Sequence, residues 1–208
     1  MVRKTVQMET MKMITGDLII NEQIVPMKFR TALFTVVFFL LHTVTYGQVF
    51  KTDSGLAKFT SSVPLHEFKG TSSYLIGMVD FDENLVDFYL DLETLKTGNS
   101  RRDRDMYNTL NVEEYPFAEF TGKLDTPFDF SSNEKQQVIV SGEFTIHGIS
   151  CEMTIKGSLQ KQNGILLLEA EWVHDITDHD IEPPGILFYR VRDEMDVRIE
   201  ATLINSSD

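Results

Sequence analysis

From Leu85 to Leu92 the chain reads Leu-Val-Asp-Phe-Tyr-Leu-Asp-Leu, which puts Val86, Phe88, Leu90 and Leu92 on one side of an extended segment and Asp87 and Asp91 on the other. A period of two with one apolar and one charged side marks a strand buried on a single face. The same pattern recurs three times. Val138, Val140, Gly142, Phe144 and Ile146 oppose Ile139, Ser141, Glu143 and Thr145. Met153, Ile155, Gly157 and Leu159 oppose Glu152, Thr154, Lys156 and Ser158. Met195, Val197, Ile199 and Ala201 oppose Glu194, Asp196, Arg198 and Glu200. Further strands are predicted over 57–61, 73–81, 117–124 and 165–173, where apolar and aromatic residues again dominate.

Turn residues separate these segments: Asp82-Glu83-Asn84, His147-Gly148, Gln162-Asn163-Gly164 and Pro183-Pro184-Gly185. The single helix signal spans about 101–110, with Asn99 and Ser100 before it as candidate caps. The expected fold class is therefore all-β, a single antiparallel barrel of about eight strands, because closure is what removes unpaired edges. Eight strands enclose a space that side chains fill or one small ligand occupies. Parity makes Val86, Phe88, Leu90, Phe120, Val140, Phe144, Ile155 and Trp172 the candidate lining of that space. Gly142 and Gly157 on the same face mark a bend or a close approach. Periodicity alone leaves open whether the barrel is hollow or packed.

The first 47 residues do not follow the alternation. Met27 is followed by Lys28 and Arg30, an uncharged apolar run over 31–41, and the small or polar residues up to Gly47. This is the layout of a signal peptide over 27–47, too short to serve as a permanent membrane helix, with export to the periplasm or the exterior as its consequence. Residues 1–26, which hold Met1, Met8, Met11 and Met13, read as an over-extended start or a leader. The barrel domain is accordingly expected over 48–208.

Net charge is −13, which disfavours nucleic acid as a partner. The one cysteine, Cys151, excludes an internal disulfide and a cysteine-based zinc site.

Three segments resemble motifs of the YceI-like family, a lipocalin-like barrel that binds polyisoprenoid or related lipids. Thr97 to Met106 (TGNSRRDRDM) is similar to its Asn-x-x-Arg-Asp-x-x-Leu element, Val112 to Phe120 (VEEYPFAEF) to its Val-Glu-x-Tyr-Pro-x-x-x-Phe stretch, and Val140 to Ile149 (VSGEFTIHGI) to its Gly-x-Leu-Thr-Ile-x-Gly-Val hairpin. The resemblance extends from about Ala57 to Leu203 in the expected order. Between Met106 and Val112 this chain is shorter than the family pattern, and Asp175 to Asp180 is more acidic. The resemblance implies a pocket that withdraws an isoprenoid, quinone or fatty acyl chain from water, the apolar small molecule being the partner, with a homodimer as a further possibility.

Three polar clusters offer other chemistry. Arg101 and Arg102, within Arg-Arg-Asp-Arg-Asp, are candidates for a lipid head group, or else pair with Asp103 and Asp105 to hold the helix. His174-Asp175-Ile176-Thr177-Asp178-His179-Asp180 matches no calcium loop and reads as a solvated acidic turn. Cys151 and His147 offer no recognised nucleophile arrangement. No cofactor, metal or catalytic residue is expected. The alternatives to a carrier are a filled barrel that binds a protein and, more remotely, a secreted hydrolase.

Overall fold

The computed structural model describes residues 48–63, 66–183, 185–186, 189–190 and 192–206. The expected leader and signal segment (1–47) and Pro184 lie outside the described residues.

Eight long strands close into one antiparallel barrel. In chain order they are β1 (Val49–Val63), β2 (His66–Asp80), β3 (Leu85–Asp91), β4 (Phe117–Leu124), β5 (Gln136–Ile146), β6 (Ile149–Gln162), β7 (Ile165–Asp175) and, after a two-rung ribbon of β8 (Gly185–Ile186) and β9 (Tyr189–Arg190), β10 (Glu194–Asn205). Each pairs with its sequence neighbour, and β10 closes the ring by pairing with both β7 and β1. Among the described residues there is one α-helix, α1 (Ser100–Thr109), between β3 and β4. Among the described residues no helix is long and apolar enough to cross a membrane.

The parity of the sequence survives into the barrel. Val86, Phe88 and Leu90 of β3 are buried while Tyr89 between them is exposed. Two departures have local causes. β1 and β2 are each 15 residues long, well beyond the predicted 57–61 and 73–81, because the register slips around Gly55 and so hides the alternation. Ser158, outward by parity, is nonetheless buried, wedged between its cross-strand neighbours Gln137 and Glu169.

The hairpin turns follow from residues that tolerate a left-handed backbone. His147 and Gly148 (φ 56° and 76°) join β5 to β6, and Asn163 and Gly164 (φ 51° and 87°) join β6 to β7. Two successive positive φ values are the type I′ geometry that suits strand twist.

The barrel is filled at one end. There the loop between β4 and β5 folds Phe128 and Phe130 onto Phe81 and Phe50, with centroids 4.8 Å apart for Phe128–Phe130 and for Phe81–Phe130. Beneath this plug Val79, Leu159, Leu166 and Leu203 are almost wholly buried. Lys161 Nζ donates to the Phe130 carbonyl at 2.9 Å, and Gln136 bonds Asp129 in both directions, which pins the loop in place.

Candidate ligand-binding cavity

Between the plug and the opposite end the barrel is hollow. The cavity measures about 570 Å³ and opens to solvent beside α1. That volume lies within the range of natural small-molecule sites. All eight positions placed inward by parity, Val86, Phe88, Leu90, Phe120, Val140, Phe144, Ile155 and Trp172, form its wall. Gly157 also borders it, and the missing side chain there adds room.

Two glycine arrangements shape the wall. A Cβ on Gly77 would lie 2.2 Å from Cδ1 of Phe88 and 2.6 Å from the Asp87 carbonyl, so the Phe88 ring lies flat over bare backbone of β2. Gly122 and Gly142 face each other across β4 and β5, and a Cβ on Gly142 would sit 2.4 Å from Gly122 Cα. The close approach at Gly142 is thus by the neighbouring strand.

The mouth is built by α1 and the segment before it. Asn99 caps the helix, its side-chain oxygen accepting from the amides of Arg101 (3.0 Å) and Arg102 (3.2 Å), and Ser100 is its first residue. Asn111, at φ 48°, ends it. Met106 points back into the core, while Arg102, Asp105, Asn108 and Thr109 rim the cavity. The Tyr107 hydroxyl lies 2.7 Å from the Leu95 carbonyl and 2.8 Å from that of Glu93, tying the helix to the 3-10 turn after β3. Lys96 Nζ donates to that hydroxyl, which raises the lysine's pKa.

Arg102 reaches the rim, whereas Arg101 is exposed and borders no part of the cavity. Asp103 accepts from the hydroxyl (2.6 Å) and amide (2.8 Å) of Thr97, bonds that, with the smaller effect of the nearby Lys96 and Arg102 charges, hold its carboxyl below the usual range. This is a local clamp between a loop and the first turn, which sequence spacing does not reveal.

The histidine-rich segment corrects the solvated-turn expectation. His174, on the inward face of β7, borders the cavity, and His179, at the end of a 3-10 turn (Ile176–His179), is completely buried. Phe144 packs edge-on against both rings, at 5.0 and 5.5 Å. The carboxylates do stay outside: Asp175 caps the turn by accepting from the amide (2.9 Å) and hydroxyl of Thr177. The sequence signal that was available is the parity of β7, which puts His174 in line with Trp172 and Leu168. His179 Nδ1 lies 2.8 Å from the Ile149 carbonyl, and since a carbonyl only accepts, Nδ1 carries the proton. Burial lowers the His174 pKa to about 4, with the neighbouring His179 adding to the effect, so the ring is neutral near pH 7. Among the described residues no group of three metal-ligating side chains converges. His147 Nδ1 meets the His179 carbonyl (3.0 Å) and Cys151 Sγ the Asp178 carbonyl (3.3 Å), so each serves to anchor this turn.

The comparisons agree with this geometry. The YceI-like domain matches residues 48–203 of the chain. No curated protein sequence matches it. Among solved structures it is similar to a polyisoprenoid binding domain from Saccharophagus degradans implicated in plant cell wall breakdown (15% identity, TM-score 0.64, 76% of this chain and 99% of that one). It is also similar to BcnA of Burkholderia cenocepacia (13%, TM-score 0.61, 73% and 96%) and to the Campylobacter jejuni YCEI protein (16%, TM-score 0.53, 71% and 90%). At these identities the likeness is one of fold.

Proposed function

This chain belongs to the YceI-like family, and from that premise we propose that it is an exported carrier that sequesters a long apolar molecule inside its barrel. The observation that supports this best is the cavity of about 570 Å³, walled by apolar strand residues and stopped at one end by the aromatic plug. Withdrawing a hydrocarbon chain from water into such a space is favourable by up to ~0.8 kcal/mol per CH₂. At roughly 30 Å³ for each water-sized group, the space takes about twenty of them. The polyisoprenoid named for the Saccharophagus degradans domain is one ligand of that chemistry; quinones and fatty acyl derivatives are others. The role is binding and release, with no bond made or broken. Export is proposed on the residues of 27–47, whose charged flank and apolar run suit a signal peptide.

Native mass spectrometry of the full chain, before and after organic extraction, tests the carrier reading. One extractable apolar molecule per chain, or uptake of one added prenol, is the expected result. A mass equal to the bare chain, with no uptake of prenols or fatty acids, would remove it.

A further inference from the structure

The ladder between β6 and β7 does not run the length of the barrel. Its pairs extend from Gln162↔Ile165 at the hairpin to Gly157↔Ala170 and stop there. Beyond that rung, toward the end opposite the plug, Ile149–Lys156 pairs with β5 and Glu171–Asp175 with β10, but not with each other. A continued register would set Lys156 against Glu171 and Thr154 against Val173, and no such rung forms. The separated stretches back directly onto the cavity, which Ile155, Trp172 and His174 border from within. On the outer face a second, polar hollow of about 190 Å³ lies among Lys156, Glu171 and Arg198. The inner and outer hollows share Gly157, Ser158, Glu169 and Ala170, the last two rungs of the ladder, and the final rung, Gly157↔Ala170, is almost bare of side chains.

What spans the seam is the 3-10 turn Ile176–His179. His179 Nδ1 donates to the Ile149 carbonyl (2.8 Å), Cys151 Sγ to the Asp178 carbonyl (3.3 Å) and His147 Nδ1 to the His179 carbonyl (3.0 Å). Ile176 and Ile181, both buried, border the cavity from this segment. A few side-chain bonds hold this part of the wall where a strand ladder holds the rest, so local opening costs least here. We propose that the seam between β6 and β7 is a lateral portal through which an apolar chain enters and leaves the barrel, with the turn as the strap that closes it; this rests on the carrier reading above. The opening beside α1 suits such passage less well. Its rim carries Arg102, Asp105, Asn108 and Thr109, which a chain threading in lengthwise has to pass. Along the seam a chain slides in sideways over Ile155, Ile176 and Ile181, between the exposed, uncharged flanks Thr154 and Val173. The opening beside α1 then takes the excess of an overlong chain.

The contact of Cys151 with the Asp178 carbonyl allows the strap to be locked. In full-length Asp178→Cys, oxidation ties the turn to β6 and reduction frees it, the disulfide being followed by mass spectrometry. Stopped-flow fluorescence then measures uptake and release of retinol, an isoprenoid alcohol that fluoresces. Oxidation is expected to slow both rates at least about tenfold while affinity changes less than about twofold, and reduction to restore them. His179→Phe keeps a ring in the buried site but removes the bond to Ile149; with its fold shown by urea unfolding, it is expected to release retinol about fivefold faster than wild type. Unchanged rates in the oxidised protein would overturn the portal, as would unchanged release from His179→Phe should the disulfide not form; retinol binding itself keeps the carrier reading intact in either case. Absence of retinol binding by wild type would overturn both.

Discussion

The imidazole rings of His174 and His179 lie 4.9 Å apart, tilted by 42°, with the edge of Phe144 against each. Two protonated rings at that distance, under apolar cover, would repel each other. The neutral His174 ring, packed between Phe144 and His179, is therefore part of what holds the turn after β7 over the barrel end.

That relationship has a pH signature. The His174 pKa, about 4 in the folded protein, lies below the ordinary histidine value of 6.5. On acidification the unfolded chain binds the proton first. The stability linked to the neutral ring is complete above pH 6.5 and is lost as pH falls from 6.5 toward 4. Asp175 and Asp178 nearby partly oppose the effect, and the ring is only partly buried, so a loss of about 2 kcal/mol is expected. Urea unfolding at neutral pH and near pH 4.5 checks this: His174→Leu should lose less stability on acidification than wild type by that margin.

Gly77 should accept no side chain. Even alanine there meets the Asp87 carbonyl, which cannot turn aside, and drives the Phe88 ring into the cavity. Gly77→Ala is expected to cost about 1–3 kcal/mol in urea unfolding and to weaken prenol binding. Adding Phe88→Leu should recover the binding more than the stability, since the carbonyl contact remains.

The aromatic plug should matter for stability more than for capacity. Phe130 is half-buried, touching Phe50, Phe81 and Phe128 but not the cavity. Phe130→Ala is expected to cost about 2 kcal/mol, below the range for a fully buried phenylalanine. One prenol per chain should still be seen by native mass spectrometry.

Cavity volume sets a chain-length limit. Across a series of linear prenols, affinity should rise with each isoprene unit until about twenty carbons, then level off as the remainder emerges past α1. Isothermal titration across the series shows the break; a steady rise far beyond it would mean that the plug yields.

How much of this was legible beforehand depended on where one strand face meets one environment. β3 and β5 alternate cleanly, so parity put Val86, Phe88, Leu90, Val140 and Phe144 on the inner face, where the cavity now lies. Closure followed from the number of strands and the need to pair their edges. The hollow half was not legible, because parity is identical for a packed and an empty barrel. Phe128 and Phe130 escaped notice as loop residues, since the plug depends on where the β4–β5 loop folds back. Asp53-Ser54-Gly55 broke the pattern of β1, because a bulge shifts which residues face inward. Composition misled at His174 and His179: the acidic neighbours suggested a solvated turn, whereas only the carboxylates face water.

The most direct test is to fill the cavity. Val140→Trp puts a large ring into the space that Val140 now borders on β5, and leaves the residues of α1 and the plug unchanged. Isothermal titration of geranylgeraniol into wild type and into Val140→Trp, both shown folded by their urea transitions, is the decisive comparison. One site in wild type and none, or at least tenfold weaker binding, in Val140→Trp is the expected result. Equal binding by the two proteins, or no binding by wild type, would contradict a ligand inside the barrel.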